Sequence, residues 1–334
     1  MTDLFAAPVI ESVCPTVTPI RYLSRLTKAL GGPEIYIKRD DMNGPANEDS
    51  GNKTRKLRFL AGEALAQGAD SLVTEGGLQS NHCRQTAAVA RKLGLACHII
   101  YGGFRPHQLD GNSLLVAASG ARLHFAGEAS RMEKRDAVVA QLKSAGGAPY
   151  DFGAGGSTST GALGYIFFVQ ELMAQEKALG ITFDHIFHCS SSGGTEAGLV
   201  VGQQIFKWPG TIHSVVNDPI AHGQHHRDFA ALLRDEIIAR FNLTITPVNE
   251  VHDFAHEGYG ETTFEDIEAI KTFMDHEGIY IDPVYGCKPA RRMLDMVRGR
   301  EIAADDKVLI IHTGGHPTMQ HKRYRAIYAG LNSW

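Results

Sequence analysis

The chain has 334 residues, 43% of them hydrophobic and 21% charged, with a formal net charge of −4. That is enough for two domains or one large α/β unit, and it leaves no basic field to hold nucleic acid or an anionic membrane surface. Met1-Thr2-Asp3-Leu4-Phe5 shows no basic segment ahead of an apolar core and no apolar run reaches spanning length, so the expectation is a cytoplasmic protein without a secretory signal. The cysteines (Cys14, Cys83, Cys97, Cys189 and Cys287) are scattered without a C-x-x-C pair, which argues against a disulfide framework or a zinc site and fits a reducing compartment.

In chain order, residues 1–34 read as irregular, with Pro15-Thr16-Val17-Thr18-Pro19-Ile20 as an extended arm. Ile35-Tyr36-Ile37-Lys38 predicts an extended segment, followed by the polar loop Asn43-Gly44-Pro45-Ala46-Asn47-Glu48-Asp49-Ser50. Gly51 permits a tight turn, and Asn52 is a good N-cap. Leu57, Leu60, Ala61, Ala64 and Leu65 then recur at spacings of three and four, predicting a helix from Lys53 to about residue 67. Lys53 stands in its first turn, where the helix dipole, Arg55 and Lys56 all push the amine toward its neutral, nucleophilic form. Taken alone, the stretch reads as a solvated basic helix start.

Strands over 71–74, 97–101 and 122–125 alternate with helices over 80–93, 113–119 and 131–145, the pattern of a parallel sheet covered by helices. The glycine- and serine-rich segment 153–161 breaks the rhythm and marks a crossing between domains. A second series has strands near 185–189, 211–215, 280–281 and 307–312. His222, His225 and His226 lack cysteine or carboxylate company at ligand spacing, so no metal site is expected there.

Three glycine-rich turns each follow a strand, where open α/β sheets bind ligands. In Gly76-Gly77-Leu78-Gln79-Ser80-Asn81-His82, Ser80 and Asn81 begin a helix whose free N–H groups suit a carboxylate. Ser190-Ser191-Ser192-Gly193-Gly194-Thr195-Glu196-Ala197-Gly198 makes an anion nest sized for one phosphate, with neither the Gly-Lys-Ser/Thr of a nucleotide loop nor a dinucleotide fingerprint. His312-Thr313-Gly314-Gly315 is the third. Tyr259 and Tyr285, both in turns, read singly as half-buried tyrosines and together as candidate proton donors. A lysine, a phosphate nest, a carboxylate cradle and an acid/base pair are what a pyridoxal-phosphate enzyme needs.

The same residues, in the same order, resemble one family. Lys38-Arg39-Asp40-Asp41, Gly51-Asn52-Lys53-Thr54-Arg55-Lys56-Leu57, Gln79-Ser80-Asn81-His82, Ser192-Gly193-Gly194-Thr195, Gly258-Tyr259-Gly260, Asp282-Pro283-Val284-Tyr285 and His312-Thr313-Gly314-Gly315 carry the likeness. It is the aminocyclopropane-carboxylate deaminase and D-cysteine desulfhydrase family, within the tryptophan-synthase-β-like (fold type II) pyridoxal-phosphate enzymes. The resemblance implies an α/β fold with two open, twisted, mainly parallel sheets flanked by helices. A large cofactor-binding domain would comprise 1–55 and 164–334, and a small mobile domain 56–163 would close over a small amino-acid substrate; a homodimer is the family expectation.

By the same resemblance, Lys53 would bind pyridoxal 5'-phosphate covalently and later remove the substrate α-proton. Asn81 would hydrogen-bond the cofactor's phenolic oxygen, while Ser192, Gly193, Gly194 and Thr195 would hold its phosphate and Thr313 would complete its site. Ser80, Asn81 and His82 would receive the substrate carboxylate, Ser80 also shuttling protons, and Tyr259 and Tyr285 would line the reacting face. The residue after the second tyrosine would face the pyridine nitrogen.

Ring-opening deaminases carry Gln at 82, Glu at 286 and Leu at 313, whereas this chain has His82, Gly286 and Thr313. His82 and Thr313 resemble the desulfhydrase and sulfo-lyase side; Gly286 matches neither. The loop before Lys53 is two residues longer than the family pattern. The expected reaction is α,β-elimination from a small amino acid with a β-leaving group, D-cysteine or a sulfonate analogue such as cysteate first. Deamination of aminocyclopropane carboxylate is the alternative within the class, and a non-catalytic cofactor carrier or sensor is the alternative outside it.

Overall fold

Apolar runs that end in glycine turns fold into two separate sheets. The computed structural model describes residues 4, 6–14, 17–44, 50–217, 220–244, 250–254 and 258–330, the side chains of 220–227 and 250–254 excepted. Its strands are β1 (Ile20–Tyr22), β2 (Glu34–Lys38), β3 (Ser71–Gly76), β4 (Ala96–Tyr101), β5 (Arg122–Phe125), β6 (Pro149–Asp151), β7 (His185–Ser190), β8 (Thr211–Val216), β9 (Glu250–Phe254) and β10 (Lys307–Ile311). A six-stranded sheet runs β1-β2-β10-β7-β8-β9, parallel except for the β1–β2 pair, and a four-stranded sheet runs β5-β4-β3-β6, all parallel.

Burial on both faces explains the continuous apolar runs. In β10, Val308, Leu309, Ile310 and Ile311 are all buried, and Ile310 pairs with Ile37 of β2 on one side and Phe187 of β7 on the other. One face of this sheet packs Ile37, Phe187 and Ile310 against Phe273 and Leu294; the other packs Leu309 and Ile311 against Phe168 and Trp208. On the smaller sheet, Leu72 and Ile99 pack with Leu57, Leu60 and Ala64 of the helix Lys53–Ala66. That helix therefore roots in the smaller sheet's core, while its first turn faces the larger one.

Three expectations need correction. Residues 24–30 form a helix, not irregular chain: Leu23, Leu26 and Leu30 share one apolar side, and Gly31 closes it in the left-handed conformation (φ 60°). No strand forms at 280–281, because the carbonyls a neighbouring strand would use are taken by side chains. His312 Nε2 donates to the Tyr280 carbonyl (2.8 Å) and Tyr328 Oη to that of Ile281 (2.7 Å), and Pro283 has no N–H to extend a ladder. The third concerns the Lys53 turn and is taken up below. Of the long loop before Lys53, residues 45–49 lie outside the described residues, as do the side chains of His222, His225 and His226 on the helix Ile220–Arg240.

The segment 153–161 carries the chain from β6 of the smaller sheet into the helix Ser159–Leu179, which packs beside the larger one. The carboxyl ends of β3, β7 and β10 converge there with the first turn of the Lys53 helix.

Candidate active site

Close backbone approach holds the Lys53 turn. The Asn52 N–H donates to the Thr313 carbonyl (3.2 Å), and Gly51 bridges Gly314 across the two loops. A Cβ on Gly51 would stand 2.2 Å from that carbonyl, so a side chain here would drive the two loops apart. Asn52 itself does not cap the helix, contrary to the expectation: its helical backbone (φ −53°, ψ −24°) turns the amide aside, and Nδ2 donates to Thr195 Oγ1 (3.3 Å). Gln85 satisfies an orphan donor instead, accepting from the Thr54 N–H (3.0 Å).

The Lys53 amine is enclosed beside the amine of Lys56, and burial pushes it down from 10.5 to about 8. Arg55, expected to contribute, does not. Its guanidinium points away into a bidentate pair with Asp40 (2.8 and 2.8 Å) and a further contact with Glu171 (2.7 Å), where its charge is neutralised. Lys56 is the residue the sequence reading passed over as a ligand group, although a position three residues after Lys53 shares its helix face. It is fully buried, and Nζ donates to the Gly155 carbonyl (3.2 Å). Burial and the neighbouring Lys53 hold its amine well below the usual lysine range. Among the described residues no carboxylate acts on either amine, so the pair suits an anion from outside.

A nest lies beside Lys56. The helix Gly194–Phe206 opens there, its positive dipole end toward the cavity. Ser157 Oγ accepts from the Gly194 N–H (3.2 Å) and donates to Ser192 Oγ (2.8 Å). A Cβ on Gly194 would come within 2.6 Å of Ser157 Oγ and 2.7 Å of Lys56 Nζ. Backbone, hydroxyl and amine donors thus meet in a space that tolerates no side chain.

Across the cavity stands the helix Asn81–Leu93. Ser80 is its N-cap, Oγ accepting from the Cys83 N–H (3.2 Å), which leaves the first-turn N–H groups of Asn81 and His82 for a ligand. The His82 ring is not part of this cradle's donor set. Nε2 bonds Thr74 Oγ1 (2.9 Å), the ring meets Phe152 edge-on, and burial with Lys53 and Lys56 nearby keeps it neutral. Tyr259 and Tyr285 share a hydroxyl–hydroxyl bond with their rings T-shaped. Burial pushes the Tyr259 hydroxyl up to about 12 and Tyr285 well above the usual range, so both stay protonated at neutral pH.

Lys53, Ser80, Asn81, His82, Ser192, Gly193, Thr195, Tyr259, Tyr285 and Thr313 all line one cavity of about 330 Å³. Gly194 lies just behind its wall. Nearby, Asp41, His312 and His316 bring three metal-type side chains within 4.8 Å of one another. Asp41, however, is bidentate to Arg39 (2.8 and 2.6 Å), and His312 uses both ring nitrogens, on the Tyr280 carbonyl and the Gly314 N–H (3.2 Å).

Comparison with known proteins gives the family. The sequence model of the family described as pyridoxal-phosphate dependent enzyme matches residues 12–314. The chain belongs to that family. It is 37% identical to a 1-aminocyclopropane-1-carboxylate deaminase of Methylobacterium sp. (strain 4-46), over 92% of this chain and 94% of the relative. It is also 37% identical to a D-cysteine desulfhydrase of Serratia proteamaculans (strain 568), over 91% and 93% of the two chains. A crystal structure of an aminocyclopropane-carboxylate deaminase homologue superposes with a TM-score of 0.87 at 31% identity, covering 98% of both chains. The processed form of threonine deaminase isoform 2 from Solanum lycopersicum (TM-score 0.69, 16% identity, 99% of this chain and 87% of that one) shares the fold. The enzyme uses pyridoxal phosphate, and the residues fit it: a cavity-lining Lys53 beside a buried Lys56 amine, with no carboxylate acting on either among the described residues, and a donor nest that a single Cβ would fill.

Proposed function

We propose that this enzyme eliminates a β-leaving group from a small amino acid, releasing ammonia and a 2-oxo acid. Lys53 would carry the cofactor, with its phosphate on Lys56 and the backbone around Ser192, Gly193, Gly194 and Thr195, and Asn81 on its phenolic oxygen. When bound, pyridoxal phosphate withdraws electrons from the substrate's α-carbon and makes its proton acidic. The Asn81 and His82 N–H groups and the Ser80 hydroxyl orient the carboxylate. The Lys53 amine takes the α-proton, with Ser80 placed to pass it on. As the β-bond breaks, its electron pair leaves with the group, and the protonated Tyr259–Tyr285 pair supplies a proton to it. Water then completes the balance: amino acid plus water gives 2-oxo acid, ammonia and the protonated leaving group.

The observation that carries the reading is Gly286. The glutamate that resemblance associates with ring opening is missing, since Gly286 has no side chain. The Asp282 carboxylate is already consumed by the N–H groups of Val284 (2.9 Å), Tyr285 (2.8 Å) and Gly286 (2.7 Å), and Cys287 is buried away from the cavity. Elimination needs less carbanion stabilisation than ring opening, because a good leaving group departs as the proton is removed. Ring-opening deamination is the second reading, favoured by relatives at 35–37% identity that are 1-aminocyclopropane-1-carboxylate deaminases.

The test is release of 2-oxo acid and ammonia from D- and L-cysteine, D- and L-cysteate, serine, β-chloroalanine and aminocyclopropane carboxylate. Turnover confined to substrates with β-leaving groups supports elimination; efficient turnover of aminocyclopropane carboxylate replaces it with the second reading.

A further inference from the structure

Asn112 is fully buried on the helix Gly111–Ala118, outside the cavity wall. Its Oδ1 accepts from Arg84 Nε (2.7 Å), while Nδ2 donates to the Gln79 carbonyl (2.9 Å) and to Asn81 Oδ1 (2.8 Å) and also lies 3.0 Å from Thr318 Oγ1. A guanidinium can only donate and a backbone carbonyl can only accept. These two partners, on opposite ends of the Asn112 amide, leave it one orientation. Asn81 must then accept through Oδ1, and its own Nδ2 is the end left over. Asn81 lines the cavity, and among the described residues Nδ2 makes no hydrogen bond.

We propose that Asn112, itself oriented by Arg84, is a positioning residue that locks the Asn81 amide with its N–H donors toward the cavity, where they meet an oxyanion, the phenolic oxygen of the cofactor. This rests on the cofactor placement proposed above. An unlocked asparagine could present either its oxygen or its nitrogen, and the oxygen would repel that ligand atom. Arg84, Asn112 and Asn81 thus act as a chain of supporting hydrogen bonds around a ligand-holding group. Thr318, on the turn His316–Gln320 that follows β10, extends the chain to the larger sheet's side of the cleft.

The decisive variant is Asn112→Asp in the holoenzyme. Its carboxylate still accepts from Arg84 but cannot donate, so the Asn81 amide turns its nitrogen to the carboxylate and its oxygen to the cavity. The cofactor Kd should rise about tenfold or more, the scale of a lost hydrogen bond to a charged group. The visible absorbance that depends on an ionised phenolic oxygen should fall in favour of near-ultraviolet absorbance, at least as far as in Asn81→Ala. In the Asn81→Ala background, Asn112→Asp should move the spectrum no further, because the group it positions is gone. If Asn112→Asp does not fold, Asn112→Ala replaces it: the Asn81 amide is then unlocked, with the same direction of change expected.

A wild-type band and Kd in Asn112→Asp (or Asn112→Ala), with both altered in Asn81→Ala, would overturn the relay while leaving the cofactor placement standing. A wild-type band and Kd in Asn81→Ala would overturn the placement and the relay together.

Discussion

Replacing Lys53 by methionine should make the cofactor-free protein more stable, in a pH-dependent way. The amine ordinarily titrates at 10.5 and is pushed down to about 8 by burial. Below pH 8 it is charged both folded and unfolded, and the folded state bears the full cost of enclosing that charge. A displacement of that size corresponds to about 3 kcal/mol, which water in the cavity reduces to about 2 kcal/mol. Between pH 8 and 10.5 the unfolded chain binds the extra proton, so wild-type stability rises with pH as the cost disappears. Methionine keeps the chain's bulk and removes the charge. Urea unfolding of both cofactor-free proteins should therefore show Lys53→Met ahead by about 2 kcal/mol at pH 7, with more than half of that advantage gone by pH 10. Equal stability at pH 7, or an advantage unchanged across that range, would refute the claim that Lys53 is a buried amine awaiting a partner.

Borohydride reduction of the holoenzyme should fix the cofactor on the peptide containing Lys53, and label on Lys56 or elsewhere would reverse the assignment. Lys56→Gln should raise the Kd for pyridoxal phosphate by about tenfold or more, the loss expected for a charge-assisted hydrogen bond, while binding of phosphate-free pyridoxal changes little; equal effects on both would remove Lys56 from the nest. Gly286→Glu should lower Tm and cost about 1–3 kcal/mol through overpacking, since a Cβ there meets Asp282 Oδ2 and Ile281 Cγ2 at 3.0 Å; an unchanged Tm would mean that the turn has room for the glutamate.

What could be read from the sequence was periodic or punctuated. β3, β4, β7 and β10 announce themselves by apolar runs leading into glycine or serine turns, and Ser80, Asn81, Ser192, Gly193, Thr195 and Thr313 of the cavity lie in such turns or just after them. What could not be read was the direction of side chains. Arg55 and Lys56 are adjacent basic residues in one helix, yet one is spent on Asp40 and Glu171 and the other on the cleft. Only the positions of Asp40 and Glu171, brought in by distant segments, decide between them. Asn52 looked like a cap because residue type favours it; the approach of the Thr313 carbonyl set its backbone otherwise. The pair Tyr280–Ile281 had the composition of a strand and lost its partners to His312 and Tyr328.

The position of β10 has a bearing on the order of assembly. Among the described strands it comes last in the chain, and it lies between β2 and β7, near the middle of the six-stranded sheet. Until it leaves the ribosome, β2 and β7 face each other across an empty lane, each with an apolar edge exposed. The Thr313 carbonyl that receives the Asn52 N–H, beside Lys53, comes with it. A nascent chain therefore carries Lys53 for some 250 residues of further synthesis before the wall beside that lysine exists. On the cofactor placement proposed above, capture of the cofactor is a late event, coupled to closure of the larger sheet, and a chain truncated before β10 should combine two liabilities: an incomplete cavity and two open sheet edges prone to aggregation.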